Sequence, residues 1–292
     1  MDEIEFIKMH GLGNDFVVID ARARVVPLDA DLLRAVADRR LGVGFDQLIR
    51  IEPAKNAGSA AFMRIYNADG GEVDACGNAT RCIGWLLMSE SGGEQVAIDT
   101  NVGQLICTAA GARRVTVDMG IPGFDWQQIP LGSPMDSGDL HFDPALPEIA
   151  GLAGTAVAVN IGNPHCIFFV ADAAAIALPE IGPLVEHHPL FPERVNVSFA
   201  ELLAPDQIRL RVWERGVGAT RACGTAACAV VVAAARPDVA RAGRQAQVVL
   251  DGGVLAIDWR EQDNHIYMTG DTAMSFRGSF APEALRAAQS LK

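Results

Sequence analysis

The stretch that decides the fold is written twice, as Ala75-Cys76-Gly77-Asn78-Ala79 and as Ala222-Cys223-Gly224-Thr225-Ala226, with Cys223 lying 147 positions after Cys76 in a chain of 292 residues. Each copy follows a turn-rich stretch and leads into an apolar run, Asn78 to Ser89 and Thr225 to Arg236. Both runs read as helices that are apolar nearly all round, and such helices are buried. Outward from the cysteines, Arg64-Ile65-Tyr66-Asn67 aligns with Arg211-Val212-Trp213-Glu214 at the same spacing. Gly13-Asn14 aligns with Gly162-Asn163, and Gln47 with Asn196, at a spacing of 149. Gly103 aligns with Gly253, and Gly120 with Gly270, at 150. An ordered series with so slow a drift is the signature of internal duplication.

The seam is expected between Ile121 and Leu140, where Pro, Gly, Ser and Asp give the composition of a linker. Residues 1–120, joined by 271–292, then form one half, and residues 121–270 the other. The halves read mostly as short strands rich in β-branched and aromatic residues: 16–19, 62–66, 115–117, 166–170, 208–213 and 248–250. This predicts an α+β fold in which strands wrap a buried central helix, twice over.

Half the residues are hydrophobic and 21% are charged, a globular composition, and the net charge of −12 comes without a basic patch dense enough for nucleic acid. The longest apolar run, Ala222 to Ala235, is interrupted by Gly224 and Thr225 and falls short of the ~20 residues of a membrane span. The start, Met1-Asp2-Glu3-Ile4-Glu5, is acidic and unlike a signal peptide, so a cytoplasmic protein is expected. In that setting the six cysteines, Cys76, Cys82, Cys107, Cys166, Cys223 and Cys228, read as thiols and not as a disulfide framework. The only lysines are Lys8, Lys55 and Lys292, which argues against Schiff-base chemistry. No Gly-rich phosphate loop is present, and no cofactor is expected.

A cysteine at the start of a buried helix gains the partial positive charge of the helix terminus, which favours thiolate. The first helical N–H groups have no partner within the helix and can bind an anion such as a carboxylate. Gly77 and Gly224 allow close approach to that backbone, and Asn78 and Thr225 add side-chain donors. A single cysteine of this kind is more often a small buried hydrophobe, and the recurrence reverses that preference. Cys82 and Cys228 lie six and five residues further on and, at ~100° per residue, point away from the first pair, which weakens a zinc reading. With Cys107 and Cys166 they read as core packing. Asn67 and Glu214 each precede a special cysteine by nine residues, and Asn14 and Asn163 each follow a glycine near a histidine, His10 and His165. Any one of these is ordinary turn chemistry; the same turns in both halves point to one site. Glu214-Arg215 reads either as a surface pair or as a receptor for an ammonium and a carboxylate. His165 is structural by default and near a thiolate could tune its proton affinity.

Met9-His10-Gly11-Leu12-Gly13-Asn14-Asp15-Phe16, Gly42-Val43-Gly44-Phe45-Asp46-Gln47, Asn67-Ala68-Asp69-Gly70, Gly162-Asn163-Pro164-His165, Glu214-Arg215-Gly216 and Ala222-Cys223-Gly224 resemble, in order and over nearly the whole chain, the signature blocks of diaminopimelate epimerases. The resemblance implies an isomerase independent of pyridoxal phosphate that interconverts LL- and meso-diaminopimelate, on the bacterial route to lysine and peptidoglycan. It implies two similar domains, each a β-barrel-like sheet around a central α-helix, with the active site in the cleft between them, and a homodimer in which Tyr267 makes contacts. Carried over by position, Cys76 and Cys223 become the acid/base pair. The substrate-binding positions fall on Asn14, Gln47, Asn67, Gly77, Asn78, Asn163, Asn196, Glu214, Arg215, Gly224 and Thr225. His165 and Glu214 match residues that tune the thiols. The chain departs from the pattern at Ala79, where many members have glycine, and at Thr225-Ala226, where many have Ser-Gly.

The chemistry expected is abstraction of a weakly acidic α-proton by one thiolate and its return to the opposite face by the other thiol, with the carbanion stabilised electrostatically. Cys223 is the base and Cys76 the acid in one direction, as a coupled pair. Glu214, Arg215, Asn67 and Asn196 would hold the far end of the substrate. The rival readings are a two-thiol racemase acting on proline or hydroxyproline and a non-catalytic thiol protein that senses metal or redox state.

Overall fold

The computed structural model describes residues 3–74, 76–142 and 156–289. Ala75 of the first cysteine motif, Met1, Asp2 and Lys292 lie outside them. The elements run β1 (Ile4–Gly11), β2 (Asn14–Asp20), α1 (Ala30–Ala37), β3 (Gln47–Glu52), β4 (Ala61–Asn67), β5 (Glu72–Val73), α2 (Gly77–Ser91), β6 (Gln95–Thr100), β7 (Gly103–Gly111) and β8 (Arg114–Asp118). They continue with β9 (Val157–Asn160), β10 (Pro164–Phe169), α3 (Leu178–Glu186), β11 (Asn196–Ala204), β12 (Gln207–Glu214), β13 (Gly218–Thr220), α4 (Gly224–Ala235), β14 (Gln245–Leu250), β15 (Gly253–Trp259), β16 (Ile266–Asp271), β17 (Ala273–Phe280) and α5 (Pro282–Gln289). The chain divides into two compact units, Met1–Val117 with Gly270–Lys292, and Asp118–Thr269.

In the first unit the strands follow the order β17-β1-β2-β3-β4-β6-β7-β8, with β5 on β4; β2/β3 and β4/β6 are parallel and the other pairs antiparallel. Thr272, just before β17, donates its N–H to the carbonyl of Arg113, just before β8, at 2.8 Å, so the two ends of this order meet. The curled sheet encloses α2, which packs on β1, β6 and β7. Residues 77–84 of α2 are all buried. Gly84 lets the helix approach β7, because a Cβ there would stand 2.7 Å from both Cβ and Sγ of Cys107. Gly92 ends the helix in the left-handed conformation (φ 70°) that glycine adopts without strain. Helix α1 covers the outside, where Leu32, Leu33 and Val36 join a core with Val17, Ile19 and Leu48.

The second unit repeats the plan as β9-β10-β11-β12-β14-β15-β16, with β13 on β12. Its sheet curls around α4, which touches β9, β10, β11, β12, β14 and β15 and is almost wholly buried. Helix α3 covers the outside, on β11, β12 and β13. The stretch Ile121–Leu140, linker-like in composition, is folded onto this unit: Ile129, Leu131 and Leu140 are buried in its core, and Gly123 bridges Asn160.

The duplication is visible in the strand registers. Phe16 opposes Gln47 as His165 opposes Asn196; Ile65 opposes Val73 as Val212 opposes Thr220; Thr100 opposes Gly103 as Leu250 opposes Gly253. The drift in spacing beyond the cysteines has a local cause. Helix α2 has 15 residues and α4 has 12. Arg236, which precedes Pro237, is already extended (ψ 139°), as residues before proline are, and a longer loop follows.

Candidate active site

Cys76 and Cys223 are the N-cap residues of α2 and α4, both with extended backbone (φ/ψ −149°/107° and −127°/114°) and neither with a side-chain capping bond. The first helical bonds run from Thr80 N–H to the Cys76 carbonyl at 2.9 Å and from Ala227 N–H to the Cys223 carbonyl at 3.1 Å. The backbone N–H groups before these bonds belong to Gly77, Asn78 and Ala79 in one unit and to Gly224, Thr225 and Ala226 in the other. They stand outside the ladder of their own helix, and the Ala226 N–H faces the Cys223 sulfur.

In the first unit Asn14 is placed by a tight β1–β2 hairpin whose two central residues, Leu12 and Gly13, lie at φ 55° and 80°, as a type I′ turn requires. Gln47 and Asn67 face each other across β3 and β4. Cys76 Sγ donates toward the carbonyl oxygens of Asn14 and Gln47, at 3.7 and 3.9 Å. Asn14 Oδ1 also accepts from Asn78 Nδ2 at 3.2 Å, and Gln47 Nε2 donates to Asn67 Oδ1 at 3.4 Å. The first half therefore gathers Cys76, Asn14, Gln47, Asn67 and Asn78 into one hydrogen-bonded group.

Asn14 Nδ2 donates to Gln47 Oε1 at 3.2 Å, and charged residues outside the expected binding set hold it as well. Asn14 Nδ2 donates to Asp46 Oδ2 at 3.1 Å, and the same oxygen accepts the N–H of Asp15 at 3.1 Å. Arg39 joins Asp15 and Asp46 at 2.6 and 2.7 Å, and the buried Lys8 ammonium bonds Asp15 and the carbonyl of Gly44. Burial opposes ionisation of Asp15, yet Arg39 and Lys8 hold its pKa at about 2. Arg81, wholly buried in α2, donates to Asn78 Oδ1 at 2.7 Å. Asp15 and Asp46 lie inside quoted motifs, so proximity to them was available in the sequence. Arg81 had no signal beyond a charge in an apolar helix.

In the second unit Cys223 is 5% exposed and its Sγ lies 3.5 Å from Thr225 Oγ1. Burial, and then the Glu214 carboxylate beside it, push the Cys223 thiol well above its usual value, so it holds its proton. Thr220 Oγ1 donates to the same carboxylate. His165 is fully buried; its Nε2 meets Asn163 Oδ1 at 2.9 Å, and its Nδ1 has no partner. Because amide oxygen is an acceptor, Nε2 carries the proton. Burial, with a further contribution from Arg215, lowers the His165 pKa to about 3, so the ring is neutral. Asn196 bridges backbone on both sides: Oδ1 accepts the N–H of Arg215 at 3.0 Å and Nδ2 donates to the Pro164 carbonyl at 2.9 Å. The Arg215 side chain is exposed and touches the Glu193 carbonyl at 3.2 Å.

Cys82, Cys107, Cys166 and Cys228 are fully buried core thiols. Among the described residues no group of three or more His, Cys, Asp or Glu is arranged to hold a metal ion, and no helix is long and apolar enough to cross a membrane. Tyr267, on β16, bonds Asp263 at 3.2 Å and lies under the Arg260 guanidinium, 3.7 Å from the ring centre.

A family model described as diaminopimelate epimerase matches residues 6–124 and 157–275, two stretches of equal length, one per repeat. Among curated proteins, the chain is 52% identical to a diaminopimelate epimerase of Phenylobacterium zucineum (strain HLK1) over 94% of this chain and 96% of that one. It is 49% identical to one of Rhodospirillum centenum over 96% and 93%. Among solved structures, a probable proline racemase from Agrobacterium radiobacter superposes with a TM-score of 0.67 at 17% identity, covering 97% of this chain and 95% of that one. A hydroxyproline epimerase from Agrobacterium vitis gives 0.67 at 15% identity, over 96% and 91%. These two likenesses share the fold alone.

Proposed function

The chain belongs to the diaminopimelate epimerase family, and from that premise we propose that it interconverts LL- and meso-diaminopimelate through Cys76 and Cys223, in bacterial lysine and peptidoglycan-precursor synthesis. The observation that carries this reading is the placement of the two thiols at the same cap position of two equivalent helices, each beside N–H groups suited to a carboxylate.

In one direction the thiolate of one cysteine takes the α-proton, and the C–H electron pair remains on the substrate, spread into its carboxylate. The thiol of the other cysteine delivers its proton to the opposite face of the same carbon, and its own electron pair stays on sulfur as thiolate. The two sulfurs have then exchanged roles, and the reverse direction uses them in reverse. Cys76, which donates toward two amide oxygens, is set to act as an acid. Cys223 is a thiol at rest; its hydrogen-bonded neighbour Glu214 is the group able to take that proton before Cys223 acts as base. Asn14, Gln47, Asn67, Gly77, Asn78, Asn163, Asn196, Glu214, Arg215, Gly224 and Thr225 form the binding set. Arg215 offers a cation to the carboxylate of the distal amino acid group, with a homodimer through the Tyr267 region and a cytoplasmic location as further parts of the same proposal.

The test is product stereochemistry by chiral chromatography after separate incubations with LL-diaminopimelate and L-proline. Conversion of the first to the meso form, with solvent deuterium entering its α-carbon, supports the reading. Turnover of proline alone overturns it.

A further inference from the structure

Glu186 ends α3 and is 3% exposed, a carboxylate buried at a helix terminus away from any sequence motif. Its Oε2 accepts the indole N–H of Trp213 at 2.7 Å, and its Oε1 accepts the backbone N–H of Gly216 at 2.8 Å. These two donors bracket Glu214 and Arg215. The turn itself closes with Val217 N–H on the Glu214 carbonyl at 3.0 Å, and Gly216 sits at φ 73°. Trp213 is locked against the same helix, since a Cβ on Gly182 would fall 2.4 Å from its ring. One buried carboxylate thus clasps both shoulders of the turn that carries the charged pair.

The first half has a turn at the equivalent ladder position, with its left-handed glycine one place later and no such clasp. Gly70 N–H bonds the Asn67 carbonyl at 3.0 Å, and Gly70 lies at φ 91°. The position equivalent to Glu186 is Ala37, the last residue of α1. There the turn is tied by Arg34, an exposed side chain, to the Asp69 carbonyl at 3.0 Å. The buried carboxylate is therefore a device of the half whose turn bears Glu214 and Arg215.

We propose that Glu186 is a positioning residue that fixes the Arg215-Gly216 turn and so sets the affinity for the distal, charged end of the substrate. This rests on the proposed reading of Arg215 as a binding residue. Glu214 is held independently, by its ladder position opposite Gly218 and by Thr220. Asn196 keeps the Arg215 N–H, so loosening the turn releases Arg215 on its Gly216 side and spares the group beside Cys223. Loss of binding common to ground and transition states raises KM and leaves kcat.

The experiment is steady-state kinetics of E186Q with LL-diaminopimelate, with wild-type protein in the same assay. Glutamine keeps the shape but presents one N–H donor to two N–H donors, so one of the two bonds is lost. The expected result is a KM raised about tenfold with kcat within about threefold, the size of one charge-assisted hydrogen bond. Adding W213F removes the indole N–H, lets the amide oxygen of the introduced glutamine serve Gly216, and should return KM most of the way. If E186Q folds poorly, E186D, too short to reach both donors, gives the same readout. An unchanged KM, a loss confined to kcat, or no recovery in E186Q/W213F overturns the proposal. Failure of the wild-type protein to epimerise the substrate overturns the underlying functional reading instead.

Discussion

Cys76 and Cys223 occupy the same cap position of two equivalent helices, yet their sulfurs face different partners: amide oxygens of Asn14 and Gln47 for one, the Thr225 hydroxyl and the Glu214 carboxylate for the other. Equal backbone placement puts both sulfurs at a helix start; burial and the Glu214 carboxylate raise the Cys223 thiol, while Cys76 meets amide oxygens.

Each cysteine should be indispensable. C76A and C223A are expected to lower epimerisation by about 10²–10⁴-fold, the range for a positioned acid or base. The measurement is conversion of LL- to meso-diaminopimelate with the fold checked by circular dichroism. One single variant with near-full turnover would sink the two-thiol mechanism.

Asn14 is aimed by Asp46, so D46A should cost activity without touching substrate. Asn14 Nδ2 would lose its charged acceptor and keep Gln47 Oε1 alone, and the Asp15 N–H would lose its partner on the same carboxylate. A fall in kcat/KM of roughly tenfold or more is expected, since small misplacements in a site are costly. Unchanged kinetics in a folded D46A protein would remove Asp46 from the account.

His165 links stability to pH. In the folded protein it binds no proton until about pH 3, whereas unfolded histidine takes one near pH 6.5. Between those values the unfolded state holds more protons, so stability rises with pH. The contribution is present above about 6.5 and is lost as pH falls below it. Urea unfolding of wild type and H165Q at several pH values tests this. The variant should show a flatter decline below about pH 6.5, and parallel curves would refute it.

Asp99 provides a second, more acidic dependence. It is buried, and it accepts the N–H groups of Lys55 and Asn56, the Asn56 amide and the Ser59 hydroxyl. Burial raises its pKa and these donors more than reverse that, to about 2. Its stabilisation is therefore complete above the unfolded value near 3.9 and vanishes as pH drops through about 2. D99A should destabilise the protein by about 1–3 kcal/mol at pH 7 by leaving donors unpaired, with a smaller difference at pH 3. Thermal melts at the two pH values decide it.

Gly84 tests the helix-in-sheet packing. G84A would force a methyl against Cys107 and should cost about 1–3 kcal/mol, whereas G93A, with 3.4 Å of clearance from Ser91 Oγ, should cost little. Equal melting temperatures for the two variants would show that the contact relaxes freely.

Much of this molecule is legible in its linear order. The two central helices begin one residue ahead of the expected starts, at Gly77 and Gly224, and the strands expected at 62–66 and 208–213 lie inside β4 and β12. Caps, β-branched runs and alternation are local signals, and so survive in sequence. Helices α1, α3 and α5 were less plain because they are short and lie on the outside of the sheets. Lys8, Asp46, Arg81 and Glu186 could not be weighted, because a charged residue in sequence looks alike whether solvated or clasped.

Two halves, strands wound around a buried helix in each, and a cysteine at the opening of each helix are all readable in linear order. These follow from spacing and periodicity, which need no third dimension. What each sulfur meets is set by the folded chain. Asn14 reaches Cys76 across 62 residues of chain and Gln47 across 29, through strand registers that bring distant segments together. A thiol's proton affinity depends on burial and on charges within a few ångströms, and those distances exist only once the sheets have closed around their helices.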